Sequence, residues 1–127
     1  MKMSYFVFGT NNMSAAVEFY DRLFEGTGVQ RHPNEGRMAL WIGDGFLFAL
    51  AEPFDEKAAT VGNGSMCGFE LDNADQVSEK HALALEHGGK DEGEPKIRSD
   101  RFSAYVRDLD GNKLCFFKSI SAISPKV

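Results

Sequence analysis

The feature that most constrains the fold is an order of elements that occurs twice along the chain. In each half, an apolar strand pattern is followed by a helix pattern and then by three further strand patterns. The first strand pattern begins at Tyr5, and its counterpart begins at Met66. The repeat lies in the order of the elements more than in sequence identity. This order predicts an α+β fold made of two βαβββ modules.

Apolar periodicity and capping residues define the two helices. Met13, Val17 and Tyr20 recur at steps of three or four residues, which places them on one face of a helix. Asn12 offers an N-cap directly before this pattern. A second helix is predicted at about residues 75–86, where two asparagine or aspartate residues again precede the pattern.

The remaining segments are predicted as strands and loops. Two apolar runs, residues 102–107 and 113–118, are joined by an Asp-Gly-Asn turn and form a closing hairpin. The connector between the halves, residues 53–64, is rich in small and charged residues. The stretch 90–100 is charged and contains Pro95, so we expect a mobile loop there with at most a weak strand.

Composition limits the class of protein. The chain has 127 residues, and 43% of them are hydrophobic, so we expect a single domain with module one at about residues 4–54 and module two at about 64–119. A net charge of -5 disfavours a nucleic-acid partner. No run is suited to spanning a bilayer, and the N-terminus does not resemble a signal peptide. Cys67 and Cys115 lie in strand patterns, which favours a reduced, cytoplasmic protein.

Strand phase separates two kinds of surface, because alternate residues of a strand point to opposite faces. One phase holds large apolar side chains that we expect to pack under the helices: Phe6, Phe8, Phe46, Phe48, Leu50, Cys67, Phe69, Leu71, Leu114 and Phe116. The other phase mixes small, aromatic and charged groups, as the wall of a ligand cavity often does. The predicted cavity residues on this phase are Tyr5, Val7, Leu47, Ala49, Met66, Gly68, Glu70, Cys115 and Phe117, and Trp41 is added to them as an aromatic residue of the wall.

Three local motifs carry a resemblance to a known family. They are residues 8–13 with 19–21, residues 62–65 with 82–89, and the hairpin at 107–114. Together they resemble the glyoxalase / bleomycin-resistance / extradiol-dioxygenase (vicinal oxygen chelate) superfamily over nearly the whole chain. The resemblance implies two paired βαβββ modules that form a curved mixed sheet around a cleft. It also implies a homodimer, since such modules commonly pair between chains.

The resemblance further implies where a metal would bind in this family. Metal-dependent members supply ligands from the first and last strands of each module, and those positions fall at Tyr5, Ala49, Met66 and Cys115. None is the usual histidine, glutamate or glutamine, and an alanine cannot coordinate a metal at all. We therefore predict no metal at the family site and no cofactor.

Few residues are candidates for catalysis. Cys115 is the one nucleophile on the cavity phase, and it would need a lowered pKa, for which Lys113 lies two residues away. Glu70 could act as a general base or orient a ligand, or lie at a solvated strand end. We expect His81 to be a packed, hydrogen-bonded residue and His32 to lie in an exposed loop.

The leading interpretation is therefore metal-independent binding of a small, partly aromatic or amphipathic molecule in the inter-module cleft, as in bleomycin-resistance-type proteins. The expected partners are this ligand and a second copy of the chain, with neither nucleic acid nor membrane. Two alternatives remain open. One is a glyoxalase-like lyase or isomerase, or a dioxygenase-type enzyme, with a rearranged site that uses Glu70 or Cys115. The other is a degenerate member with a structural role.

Overall fold

The computed structural model describes residues 1–33 and 36–120, and it divides into two compact units, Met1–Asn63 and Gly64–Val127. The first unit contains β1 (Tyr5–Gly9), α1 (Met13–Leu23), β2 (Gln30–His32), β3 (Met38–Gly43) and β4 (Phe46–Ala51). The second contains β5 (Cys67–Glu70), α2 (Ala74–Glu86), β6 (Lys90–Arg98), β7 (Arg101–Arg107) and β8 (Lys113–Ser119). The predicted α+β class and the two βαβββ modules are confirmed.

Each unit has one four-stranded mixed sheet. The strand orders are β1-β4-β3-β2 in sheet one and β5-β8-β7-β6 in sheet two. The first and last strands of each unit pair in parallel, and the other neighbours pair antiparallel. The helix between the first strand and the hairpins makes this parallel pairing possible, because parallel strands need a long crossover connection.

Asparagine caps begin both helices, as the sequence predicted. The Asn12 side chain accepts a hydrogen bond from the Ala15 N–H at 3.2 Å, and the Asn73 side chain accepts one from the Gln76 N–H at 2.9 Å. Each bond satisfies a backbone donor that the first helical turn leaves unpaired.

Aromatic packing forms the core of the first unit. The Tyr20 ring of α1 lies 4.8 Å from the Phe48 ring and 5.9 Å from the Trp41 ring, measured between centroids. Trp41 is 1% exposed, and its indole N–H donates to Asp21 Oδ1 at 3.0 Å. The grouping of Trp41 with the cavity residues is therefore corrected. Its side chain points towards α1, because it alternates with Leu40 and Ile42 along β3.

The core of the second unit lies between α2 and the helix-facing side of sheet two. Val77 and Ala84 of α2 are buried there. The sheet contributes apolar residues of different sizes that are also buried, namely Ala104, Val106, Leu114 and Phe116. Burial of each large side chain contributes roughly 1.5–3 kcal/mol. This contribution fixes the strand register, because a slip of one residue would expose the whole set.

The stretch 90–100 differs from the prediction of a mobile loop. Residues Lys90–Arg98 form β6, which pairs with β7 through a two-residue turn at Ser99 and Asp100. Ser99 has a φ of 58°, the left-handed conformation that a tight hairpin turn needs. The pairing register shifts on both sides of Gly93. Such shifts break the regular alternation of apolar and polar residues by which a strand is recognised in a sequence.

Candidate ligand-binding surface

The face of sheet one that lies opposite α1 is largely apolar; we call it open face one. The cross-strand register places these side chains on it: Tyr5, Val7, Leu40, Ile42, Leu47 and Ala49. Tyr5 is 67% exposed and Ile42 is 48% exposed. Exposed apolar side chains that adjoin one another on a sheet are suited to contact with an apolar ligand or partner.

The face of sheet two that lies opposite α2 has a different character; we call it open face two. The register pairs Cys115 with Tyr105 on β7 and with Gly68 on β5, and it pairs Phe117 with Ser103 and Glu70. Cys115 and Ser103 are buried, whereas Gly68 and Glu70 are exposed. Met66 precedes β5 and is 45% exposed.

Three cationic side chains lie over the two aromatic rings of open face two. The Arg98 guanidinium lies 5.1 Å from the centroid of the Tyr105 ring, and Lys113 Nζ lies at the same distance from that ring. The Arg101 guanidinium lies 4.5 Å from the centroid of the Phe117 ring. Each distance is within the range of a cation–π interaction. Open face two is therefore both basic and aromatic.

Cys115 is not prepared for nucleophilic attack. Burial raises the pKa of the Cys115 thiol above its ordinary value of 9.0. A hydrogen bond with Tyr105 lowers this pKa, as do nearby positive charges that include Lys113, but burial outweighs them. Lys113 therefore lowers the pKa of Cys115, as expected, but by less than burial raises it. At neutral pH the group is a thiol, and the thiolate is the nucleophilic form.

Glu70 lies at the exposed end of β5. Its carboxylate is 3.8 Å from Lys118 Nζ, and both side chains are substantially exposed. An exposed ion pair of this kind is weak in water. Nothing in this geometry prepares Glu70 as a general base.

His81 has a structural environment, as predicted. Its side chain is 8% exposed, and Nε2 lies 3.0 Å from Asp91 Oδ1 on β6. The hydrogen bond with His81 holds the pKa of Asp91 below its ordinary value of 3.8. The pair links α2 to β6. His32, expected in a loop, is an exposed residue of β2.

The residues at the family's metal-ligand positions do not fit a metal site. Ala49 is buried between Val7 and Leu40 of the adjacent strands and has no donor atom. The other three positions carry the Tyr5 phenol, the Met66 thioether and the Cys115 thiol, a set that lacks both imidazole and carboxylate. Among residues 1–33 and 36–120, no three His, Cys, Asp or Glu side chains are grouped so that they could hold a metal ion.

Tyr105 and Ser103 were not predicted from the sequence as residues of the candidate surface. Both lie on β7, where Arg101, Ser103, Tyr105 and Arg107 alternate with Ala104 and Val106, which face α2. The same period of two that was applied to the other strands would have placed them on open face two.

The first unit also contains a cavity of about 560 Å³, which the sequence did not suggest. The connector that follows β4 folds beside Thr10 and Asn11, and Asn11 exchanges two hydrogen bonds with the Ala59 backbone. Acidic and basic side chains are mixed in the lining, which includes Arg37 and Glu52. The charge therefore favours neither anions nor cations.

Within the part of the chain that the structure describes, no helix is long and apolar enough to cross a membrane. No curated protein matches the chain. The comparisons with family models and with solved structures do find matches, and they agree with one another.

The chain is similar to several solved structures. A glyoxalase/bleomycin resistance protein from Albidiferax ferrireducens T118 is 31% identical, with a TM-score of 0.85, and the match covers 91% of this chain and 97% of that one. A glyoxalase-related enzyme from Fulvimarina pelagi is 16% identical with a TM-score of 0.77, covering 94% and 88%. A possible glyoxalase from Bacillus cereus is 20% identical with a TM-score of 0.70, covering 91% and 97%. The last two show the fold alone.

A family model supplies the assignment. The model of the Glyoxalase/Bleomycin resistance protein/Dioxygenase superfamily matches residues 2–116, which is most of the chain. The sheet topology of both units and the likeness to the Albidiferax protein agree with this match. The chain therefore belongs to the glyoxalase/bleomycin resistance protein/dioxygenase superfamily.

Proposed function

We propose that this protein binds a small, partly aromatic or amphipathic molecule and that it does so without a metal ion. The observation that carries the proposal is the replacement of the family's ligand set by Tyr5, Ala49, Met66 and Cys115. A metal in this family would act as a Lewis acid on substrate oxygens. A donor set of this kind gives a hard divalent ion little affinity, so the surface that remains is suited to binding.

The character of the two open faces supports this function. Open face one offers exposed apolar side chains, among them Tyr5 and Val7. Open face two offers the rings of Tyr105 and Phe117 beside cationic groups. Apolar and aromatic walls with a few placed polar groups are typical of sites for small organic molecules. Binding between the modules, and a homodimer, stay predictions from the family resemblance.

An enzymatic role has less support in the geometry. In residues 1–33 and 36–120, neither a histidine nor a carboxylate is bonded to Cys115. Glu70 is paired with Lys118 in an exposed position. A nucleophile or base needs a neighbour that activates it, and among the described residues neither candidate has a histidine or carboxylate in that role.

The test is a ligand screen on protein that has been treated with a chelator. A library of aromatic and amphipathic compounds would be screened by thermal shift, and hits would be measured by titration calorimetry with and without added divalent ions. We expect hits whose affinity does not change when the ions are added. Binding that appears only after a metal is supplied, or no binding at all, would overturn the proposal.

A matched pair of variants locates the site. Val7→Glu introduces a charge on open face one at a residue that is 37% exposed. Val61→Glu makes the same change in the connector, where the residue is 43% exposed. Weaker binding in the first variant alone would place the ligand against open face one, whereas unchanged binding in both variants would leave open face two as its site. Equal effects of both variants would argue against binding at open face one.

A further inference from the structure

Open face two carries more free positive charge than the protein as a whole would suggest. The chain has a net charge of -5. Among the described residues, neither Arg98 nor Lys113 has a carboxylate oxygen within 4.0 Å, and Arg101 has only the neighbouring Asp100 at 3.9 Å. By contrast, the Arg107 Nε–H donates to Glu92 at 2.6 Å, so that charge is already neutralised.

The backbone brings two of these cations together. The two-residue turn after β6 places Arg98 directly opposite Arg101 in the β6–β7 hairpin. The Arg98 guanidinium also donates to the Ser103 carbonyl oxygen and lies 3.3 Å from the Ser103 hydroxyl. These bonds hold the guanidinium over the Tyr105 ring. Groups that are held in place before binding lose less conformational entropy when the ligand arrives.

Two glycines allow the rings to pack closely against the neighbouring backbone. A Cβ atom on Gly93 would lie 2.9 Å from Tyr105 Cδ2 and 3.0 Å from an Arg98 guanidinium nitrogen. A Cβ atom on Gly68 would lie 3.5 Å from Phe117 Cε1. At Gly93 any larger residue would displace the Arg98–Tyr105 pair. At Gly68 a larger residue would cover the edge of the Phe117 ring.

We infer that the ligand, on the proposed function, is an aryl anion. Its carboxylate, sulfonate or phosphate group would be bound by Arg101 and Lys113, with Arg98 beside them. Its planar ring would lie against the parts of Tyr105 and Phe117 that the cations leave exposed, since both residues are only half-buried. Guanidinium and ammonium groups form their strongest hydrogen bonds with such anions, and the rings provide a flat apolar surface. A neutral ligand would leave Arg98 and Lys113 facing only the more distant negative charges of Asp91 and Glu92.

The competing explanation is that the cations only pack on the rings of their own sheet. In that case they contribute to stability and have no preference among ligands. The two explanations differ in one measurable property, which is the dependence of affinity on the charge of the ligand.

The probes are three compounds of similar size: 2-naphthoate, its neutral analogue 2-naphthamide, and decahydronaphthalene-2-carboxylate, which keeps the charge but is not planar. Titration calorimetry on the full chain, treated with a chelator, would measure each of them. We expect 2-naphthoate to bind roughly tenfold more tightly than either analogue. We also expect its affinity to fall as sodium chloride is raised, because salt screens the charges.

Arg101→Gln and Lys113→Gln test the residues. Each should weaken 2-naphthoate roughly five- to tenfold and leave 2-naphthamide unchanged. Arg22→Gln, on the exposed surface of α1, removes the same charge away from open face two and should change neither affinity. Circular dichroism of each variant checks that it is folded. We choose these two cations because Arg98 also bonds the Ser103 backbone, so its replacement could alter the fold.

Two outcomes would overturn the inference. The first is equal affinity for 2-naphthoate and 2-naphthamide, with no effect of either variant; the proposed function would then stand with a ligand that is not an anion. The second is no binding of 2-naphthoate. The chelator-treated library screen then decides independently whether small-molecule binding itself fails.

Discussion

Replacement of Trp41 by phenylalanine tests whether this side chain belongs to the core or to a ligand surface. Trp41 is 1% exposed and lies within 6.0 Å, between ring centroids, of Tyr20, Phe24 and Phe48. Its indole N–H donates to Asp21 Oδ1. Because the side chain belongs to the core, Trp41→Phe should destabilise the protein and leave ligand affinity unchanged.

Two losses set the size of the effect. The hydrogen bond to Asp21 contributes about 1–2 kcal/mol, at the low end for a charged acceptor because the carboxylate is 40% exposed and also lies 3.3 Å from Arg31 Nε. The smaller ring leaves a void among the surrounding aromatic residues, which costs about 1–2 kcal/mol. The sum is a decrease of about 2–4 kcal/mol in the free energy of unfolding.

Urea unfolding followed by far-UV circular dichroism is the assay, since Trp41 is the only tryptophan and its fluorescence is lost in the variant. Tyr5→Phe is the control, because it removes one polar atom from an aromatic ring that is 67% exposed. The control should change stability by less than about 0.5 kcal/mol. A Trp41→Phe effect as small as the control's, or a loss of ligand affinity without a loss of stability, would refute the core placement.

Three further predictions concern the second unit. Gly89→Ala should lower the free energy of unfolding by about 1–3 kcal/mol in urea titrations, because the added Cβ would lie 2.8 Å from the Ala84 carbonyl oxygen; an unchanged midpoint would contradict this. The pKa of Asp91 is lowered in the folded protein, so its bond with His81 stabilises the fold above about pH 3.8. This stabilisation is lost as the pH falls through the lower pKa that Asp91 has in the folded protein. The difference in stability between wild type and Asp91→Asn should therefore shrink from pH 7 towards pH 3, and a constant difference would exclude this linkage. Because the pKa of Cys115 is raised, Ellman's reagent at pH 8 should modify it much more slowly in the native protein than in urea, and equal rates would show an accessible thiolate.

Much of the fold could be predicted because its signals are local. The periodicity of Met13, Val17 and Tyr20, and the caps at Asn12 and Asn73, act within a few residues of the chain. They gave both helices to within one or two residues. Strand phase, which needs only the alternation of side chains, also identified several large buried residues, namely Phe8, Phe48, Leu50, Leu114 and Phe116.

The features that sequence did not reveal depend on contacts between distant residues. β6 lacks apolar alternation, and its pairing with β7 shifts register around Gly93. Trp41 was misplaced because it was assigned by residue type and not by its phase in β3. The pairs of cations and aromatic rings, such as Arg101 with Phe117, depend on the cross-strand register. That register is set by the turns between strands and cannot be read from composition.

The central claim is that this superfamily member binds its ligand without a metal, and metal content tests it most directly. Untagged protein would be measured by elemental mass spectrometry, and a thermal-shift series would follow the addition of divalent ions. The account predicts no stoichiometric metal and no shift in the melting temperature. About one metal ion per chain, together with a clear rise in melting temperature when the ion is added, would contradict it.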